Sequence, residues 1–259
     1  DLQVRSRRQR QMCIRDRIEI LQKRFLHKME SKQTSWESLE KYFTNYDTIQ
    51  LHSQRYLHML DFHVNQTPDN CKVLDAGSGT GILSKKLLEK GNKLISIDIN
   101  ENALSFLREK TKYNKNISIS KADLSINFPI KEKVDIAHSM IVLPFPNNTT
   151  KYIQNIFNSL NENGKIVISA WNCVDDIYVG AIEKLEEELL VKKVLNKYSV
   201  NQTWNNIKKN GYSFAKEILK KNLTEHKLSI LLKKIGFKNI LIYDGIYNNK
   251  YTYHITAEK

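Results

Sequence analysis

Apolar positions change their period along this 259-residue chain. Over residues 18–66 they recur at helical spacing. Thr34-x-x-Glu37 is a capping-box pattern ahead of Trp36, Leu39, Tyr42 and Phe43, and Asp47-x-x-Gln50 reads as another ahead of Tyr56, Leu57 and Leu60. Residues 18–70 are therefore predicted to form a helical N-terminal cap, punctuated at its end by the turn-forming tract 68–70. From there, short apolar runs alternate with amphipathic stretches. Strands are predicted over 72–74, 93–97, 117–121, 134–137, 165–170 and 239–243, with helices between them, among them 101–110 and 151–160.

This alternation calls for a doubly wound α/β fold over residues 71–259, its mostly parallel sheet covered by helices on both faces and its ligands at the carboxyl ends of the strands. A last helix over 224–235 carries Leu228, Leu231, Leu232 and Ile235 on one face and stops at Gly236. After it, "ILIYDGIYNNKYTYHITA" reads as two alternating strands joined through 245–249. The second makes a seventh strand, and an antiparallel C-terminal edge is expected. Residues 172–223 are more than a crossover needs, and "IEKLEEELLVKKVLNKY" within them is strongly helical. They are read as an inserted lid, with Glu186, Glu187, Lys192 and Lys193 on its solvated face.

Composition changes the picture at one end only. Hydrophobic residues make 41% of the chain and charged residues 27%, as in an ordinary globular protein. The net charge of +13 would point to nucleic acid, but six of the nine arginines lie in residues 1–17, which hold no lysine. The remainder is rich in Lys, Asn and Ile. "MCIRDR" resembles a translated sequencing adapter, so residues 1–17 read as an assembly artefact or a disordered tail, and the net charge without them is +9. No apolar run approaches the roughly 18 residues of a membrane span. Cys13, Cys71 and Cys173 form no C-x-x-C pair. A cytoplasmic protein without structural metal or disulfides is expected.

The chemistry concentrates in "VLDAGSGTGIL", residues 73–83: a strand, an acid, three glycines at alternate positions, then a helix. Glycines there let backbone approach a ligand. A phosphate loop would need a lysine directly after its last glycine, and none stands at the required place. A dinucleotide fingerprint would need a small residue where Ile82 stands, which disfavours NAD.

The stretch resembles the first motif of the class I S-adenosylmethionine-dependent methyltransferases. Their further motifs have counterparts in "LISIDIN", "ISISKADL", "VDIAHSM", "LNENGKIVIS" and "LTEHKLSILLKKIGFKNI". The likeness covers roughly residues 71–259 and is nearest to the ubiquinone/menaquinone, or type 11, small-molecule group. It implies a Rossmann-like methyltransferase fold and S-adenosylmethionine as cofactor. The methionine end would lie at Asp75, Gly77, Ser78, Gly79, Thr80 and Gly81, the ribose at Asp98 beside Ile99, and the adenine at Asp123 and Leu124. Ser139 would stand near the sulfonium. The cofactor's own chemistry agrees, since a carboxylate can take two hydroxyl donors and another an amine donor.

Methyl transfer is an in-line displacement that gains most from orientation and water exclusion. His138, at the end of the fourth strand, is the candidate general base, against the alternative of a structural histidine. Met140, Trp171 and Asn172 are placed near the acceptor, with Tyr42, Tyr46 and His52 covering the same opening. Cys173 raises a nucleic-acid C5 methyltransferase, but "HSMIVLPFP" lacks that family's Pro-Cys and also the Asn/Asp-Pro-Pro-aromatic motif of amino-methylating enzymes. A small organic acceptor is expected, with an RNA methyltransferase or a non-catalytic cofactor-binding protein as alternatives.

Overall fold

The computed structural model describes residues 40–126, 129–172, 175–220, 223–243 and 251–259. The basic tail 1–17, the Thr34–Glu37 capping pattern, Cys13, Cys173 and the 245–249 junction lie outside the described residues.

Among the described residues, two helices, α1 (Glu40–Gln50) and α2 (Gln54–Asn65), precede the sheet. The boundary between them is set by Ser53, whose hydroxyl accepts the Tyr56 N–H at 3.3 Å. Asp47, expected from its spacing to open the second helix, lies inside α1 instead, and its carboxylate is used elsewhere. Then follow β1 (Lys72–Ala76), α3 (Ile82–Glu89), β2 (Lys93–Asp98), α4 (Glu101–Thr111), β3 (Ile117–Lys121), β4 (Val134–Met140), α5 (Thr149–Ser159) and β5 (Leu160–Trp171). The insertion read above as a lid comprises α6 (Asp175–Val191), a 3-10 turn (Val194–Asn196) and α7 (Tyr198–Lys220). The chain ends with α8 (Glu225–Ile235), β6 (Lys238–Tyr243) and β7 (Thr252–Glu258).

The seven strands form one sheet in the order β3-β2-β1-β4-β5-β7-β6. Strands β1 to β5 pair in parallel, and β7 pairs antiparallel with both β5 and β6. The antiparallel C-terminal strand therefore lies one place in, with β6 outside it. Strand order reverses between β1 and β4, where parallel α/β sheets open a crevice. Alternation along β1 and β4 divides the core. Leu74, Ala76 and Ala137 face Tyr152, Ile153 and Ile156 of α5 and Leu228 and Leu232 of α8, while Val73 and Ile136 face α2 and α3.

The lid has a small core of its own, made of Ile182, Leu185, Leu189, Val194, Leu195, Val200 and Trp204, and Ile49 of α1 completes it. One expectation for the lid is corrected here. Glu186 turns inward, accepting from Trp204 Nε1 at 3.2 Å and from Lys208 Nζ at 2.6 Å. Burial alone would raise its carboxyl, but those two donors outweigh it and the net direction is down. Glu187, Lys192 and Lys193 are exposed as expected. Among the described residues, no helix is long and apolar enough to cross a membrane.

Candidate functional site

The β1–α3 turn places Gly77, Gly79 and Gly81 at φ of +85°, +53° and +84°, and the three glycines serve different ends. A Cβ on Gly77 would stand 2.3 Å from Val142 Cγ2, and one on Gly81 would stand 2.2 Å from Leu107 Cδ1. Those two positions answer to packing. A Cβ on Gly79 would meet nothing within 4 Å, so its bare backbone borders open space. Beside it, Ser78 Oγ is buried with no hydrogen-bond partner among the described residues.

The acids sit at strand ends around this turn. Asp98, ending β2, accepts the Gly79 N–H on Oδ2 and the Asn100 N–H on Oδ1, each at 2.8 Å. Burial still pushes its carboxyl above the usual range, against those two bonds and that of Ile99. Ile99 is 51% exposed, an unusual state for isoleucine. Asp123, just past β3, accepts both the N–H and the hydroxyl of Ser125 on Oδ1, at 2.8 and 2.6 Å. The adjoining Leu124 is buried, and its carbonyl accepts from Asn155 Nδ2 at 2.6 Å. Asp75 is buried and accepts the Ser84 hydroxyl at 2.6 Å, while Ser84 accepts in turn from Ser96 at 2.9 Å. Burial pushes Asp75 up to about 6, with Asp98 adding to it.

Thr80 behaves differently from its neighbours. It is buried, and its hydroxyl turns toward α1, donating to Asp47 Oδ1 at 2.6 Å. Tyr46, next along that helix, has its hydroxyl pushed up to about 12 by burial and then by Asp47 and Asp98. Tyr56 of α2 is likewise raised well above the usual range, by burial, then by Tyr46, Asp47 and Asp75. Asp47 and Asp98 thus act on Tyr46, and Asp47 and Asp75 on Tyr56, at the same end of the sheet. Tyr42 lies on α1, with its side chain outside the described residues. His52, in the α1–α2 turn, donates Nδ1 to the Thr48 carbonyl at 2.6 Å.

His138 is corrected by its surroundings. It is fully buried under α2, far from an exposed role, in a seam with Thr67, His63, Ser169 and His254. Thr67 Oγ1 donates to the His63 carbonyl at 2.7 Å, so the 2.9 Å contact from His138 Nε2 is donated by the histidine. That leaves His138 Nδ1 to accept from His63 Nδ1 at 2.8 Å. His63 Nε2 then accepts from Ser169 Oγ at 2.8 Å, and Ser169 accepts from His254 Nδ1 at 2.6 Å. All three rings are neutral in this arrangement, with one proton in each bond. Burial holds His138 near 3, and both of its nitrogens are engaged. The ring thus bonds only within the protein among the described residues, and joins α2 to β4, β5 and β7.

Ser139 faces the opposite side, where its buried hydroxyl accepts from Tyr152 at 2.9 Å. Met140 and Ile141 pack against the apolar cluster on the α2 side. Ile141 holds φ +61°, a strained value for a β-branched residue at a strand end. Trp171 ends β5 with the Arg55 guanidinium 4.5 Å from its ring centroid, and the Asn172 N–H donates to the Tyr251 carbonyl at 2.8 Å. Arg55 also donates to the Ala181 carbonyl of α6 at 3.1 Å.

Neither Asp47, Arg55 nor Tyr56 is marked as a site residue by the sequence: Asp47 has the spacing of a helix start, Tyr56 belongs to an apolar helix face, and Arg55 stands in no motif. The available signal was the placement of Phe43 with Asp47, and of Phe106 with Lys110, each pair one helical turn apart. The rings of Phe43 and Phe106 meet at 6.3 Å, which sets α1 along α4.

Residues 67–234 match a family described as a methyltransferase domain. The probable S-adenosyl-L-methionine-dependent methyltransferase TehB of Haemophilus influenzae is 38% identical over 110 residues, 41% of this chain and 38% of that protein. The chain thus spans well under half of that relative's length. The ubiquinone/menaquinone biosynthesis C-methyltransferase UbiE of Wigglesworthia glossinidia brevipalpis is 30% identical over 186 residues, 68% of this chain and 70% of that protein. Among solved structures, a putative S-adenosyl-L-methionine-dependent methyltransferase from Methanococcus maripaludis aligns with a TM-score of 0.58 at 16% identity, covering 89% of this chain and 97% of that one.

Proposed function

The chain belongs to the S-adenosylmethionine-dependent methyltransferases, and from that premise we propose that it carries the methyl group to a small organic acceptor held beneath the cap and lid. When bound, the cofactor supplies a methyl carbon activated by its sulfonium. The residues present suit it. Gly79 offers backbone beside open space, and the orphaned Ser78 hydroxyl is a donor available to the methionine end. Asp98 would accept from the ribose hydroxyls, Ile99 would lie against the adenine, and Asp123 would accept its amine. Asp75 holds the floor of the loop through Ser84.

The observation that carries the small-acceptor reading is the way the lid is tied to the cap. Glu188 accepts the Gln54 N–H at 2.9 Å, Lys192 donates to the His52 carbonyl at 2.8 Å, and Arg55 joins α2 to Ala181. A roof fastened at three points suits exclusion of water around a compact substrate. Trp171, Arg55, Tyr46 and Met140 would border the acceptor and orient it. This reading needs no general base, because His138 is sealed away and Tyr46 is far from losing its proton at neutral pH.

Incubation of the purified protein with methyl-labelled S-adenosylmethionine, a metabolite extract and total RNA tests it. Label in a low-mass product is expected. Label in RNA would overturn the small-acceptor reading, and cofactor binding with no labelled product would leave a binding protein without catalysis.

A further inference from the structure

The cap reaches the glycine loop through one carboxylate. Asp47 Oδ1 accepts the Thr80 hydroxyl at 2.6 Å, and Oδ2 is ion-paired with Lys110 of α4. Lys110 closes the triangle by donating Nζ to the Thr80 carbonyl at 2.6 Å. The Asp47 and Lys110 side chains are each only 25% exposed, so these charge-assisted bonds are less screened than those of a surface pair.

The same helix is fastened to the lid on another side. Asn45 Nδ2 donates to the Ser199 carbonyl and to Thr203 Oγ1, both at 3.1 Å, and Ile49 is buried in the lid core. A continuous line of contacts therefore runs from the loop through Thr80 and Asp47 into α1, and from α1 into α7. Along the chain, Thr80 separates Gly79, which borders open space, from Gly81, which starts α3.

We propose that Asp47 is a positioning residue for the cofactor loop. With Lys110 it holds Thr80, and hence the Gly79 backbone, in the form that receives the cofactor. By reciprocity, a bound cofactor that stabilises this form of the loop also orders α1 and the lid above it. Filling of the cofactor site thus helps to close the acceptor site. The inference rests on the loop being the cofactor site, as argued above. What it requires is the hydroxyl of Thr80 and the charge of Asp47, not the shape of either side chain.

The test is calorimetric binding of S-adenosylhomocysteine, paired with hydrogen exchange over residues 43–50 and 182–204 with and without that ligand. The proteins compared are the full chain, Thr80→Val, Thr80→Ser, Asp47→Asn and Lys110→Met. In the full chain the ligand is expected to slow exchange in both segments. Thr80→Val and Asp47→Asn should each weaken binding roughly tenfold and abolish the slowing. Thr80→Ser should keep both, and a further protein combining Thr80→Val with Asp47→Asn should be little worse than either single variant. Lys110→Met, expected to weaken binding by a smaller factor, keeps the test open should Thr80→Val fail to fold.

Weakening confined to Asp47→Asn, with Thr80→Val and Lys110→Met binding normally, would make Asp47 a direct cofactor ligand and overturn the proposal. Normal binding and normal slowing in every variant would reduce the triangle to an incidental ion pair. Absence of binding by the unaltered chain would instead overturn the cofactor site itself, a failure visible before any variant is made.

Discussion

The N–H of Gly79 donates to Asp98 Oδ2 across 2.8 Å, so the glycine loop after β1 and the acid ending β2 form one unit. Asp98 therefore both shapes the loop and offers acceptors at its edge. Asp98→Asn keeps the volume but replaces one acceptor oxygen by a donor, and it should weaken cofactor binding tenfold or more, the size of one lost charge-assisted hydrogen bond. Calorimetry with S-adenosylhomocysteine measures this, with circular dichroism to verify folding. Unchanged affinity would remove Asp98 from the ribose site.

The three loop glycines should separate by phenotype. Gly77→Ala and Gly81→Ala drive a Cβ into Val142 and Leu107 and should cost about 1–3 kcal/mol of stability in urea denaturation. Gly79→Ala meets open space and should cost only about 1 kcal/mol, from its positive φ, while binding of cofactor falls sharply. Equal effects on stability and none on binding would mark the whole turn as a packing device.

Replacing His138 distinguishes a structural ring from a base. His138→Asn, which retains a donor and an acceptor, should leave kcat within about threefold of the parent on an identified acceptor. Loss of a general base would lower it by roughly 10²–10⁴. A drop of that larger size without change in cofactor affinity would restore the histidine to the chemistry.

The histidine seam also predicts how stability responds to acid. Burial keeps His138 near 3 and His254 near 4, and His63 lies well below 6.5 through burial and its two neighbours. The unfolded chain takes up protons below about pH 6.5, which the folded seam resists, so stability falls as pH drops from there toward 4. Asp75 acts in the opposite sense, because burial raises it to about 6 and the folded form binds its proton first. With three rings set against it, a net loss on the order of 2–4 kcal/mol between pH 7 and pH 5 is expected from urea denaturation. A flat or rising profile would contradict neutral rings, and His254→Gln should lessen the slope.

Residues 1–17 carry six of the nine arginines, and their deletion should leave cofactor affinity and turnover unchanged. If they instead track a phosphate backbone, filter binding to RNA at two salt concentrations would show a strong, salt-sensitive loss on truncation.

Hydrophobic period and glycine spacing were sufficient to lay out the alternating strands and helices, the glycine turn with its acids at the strand ends, and the long helical insertion after β5. These features are local: strands alternate at period two, helices near 3.6, and a tight turn needs glycine where φ is positive. The role of each polar side chain was not local. Asp47 has the spacing of a helix cap, yet the packing of α1 along α4 gives it to Thr80 and Lys110. His138 stands at a strand end with the chemistry of a base, yet α2 lies over it and supplies His63 and Thr67. Ser139, its neighbour, points to the other face and meets Tyr152. Which face a strand residue presents is written in its alternation, but what stands opposite depends on contacts between residues as far apart as 63 and 138. Only the folded chain brings those together, and there burial decides whether a histidine can take a proton at all.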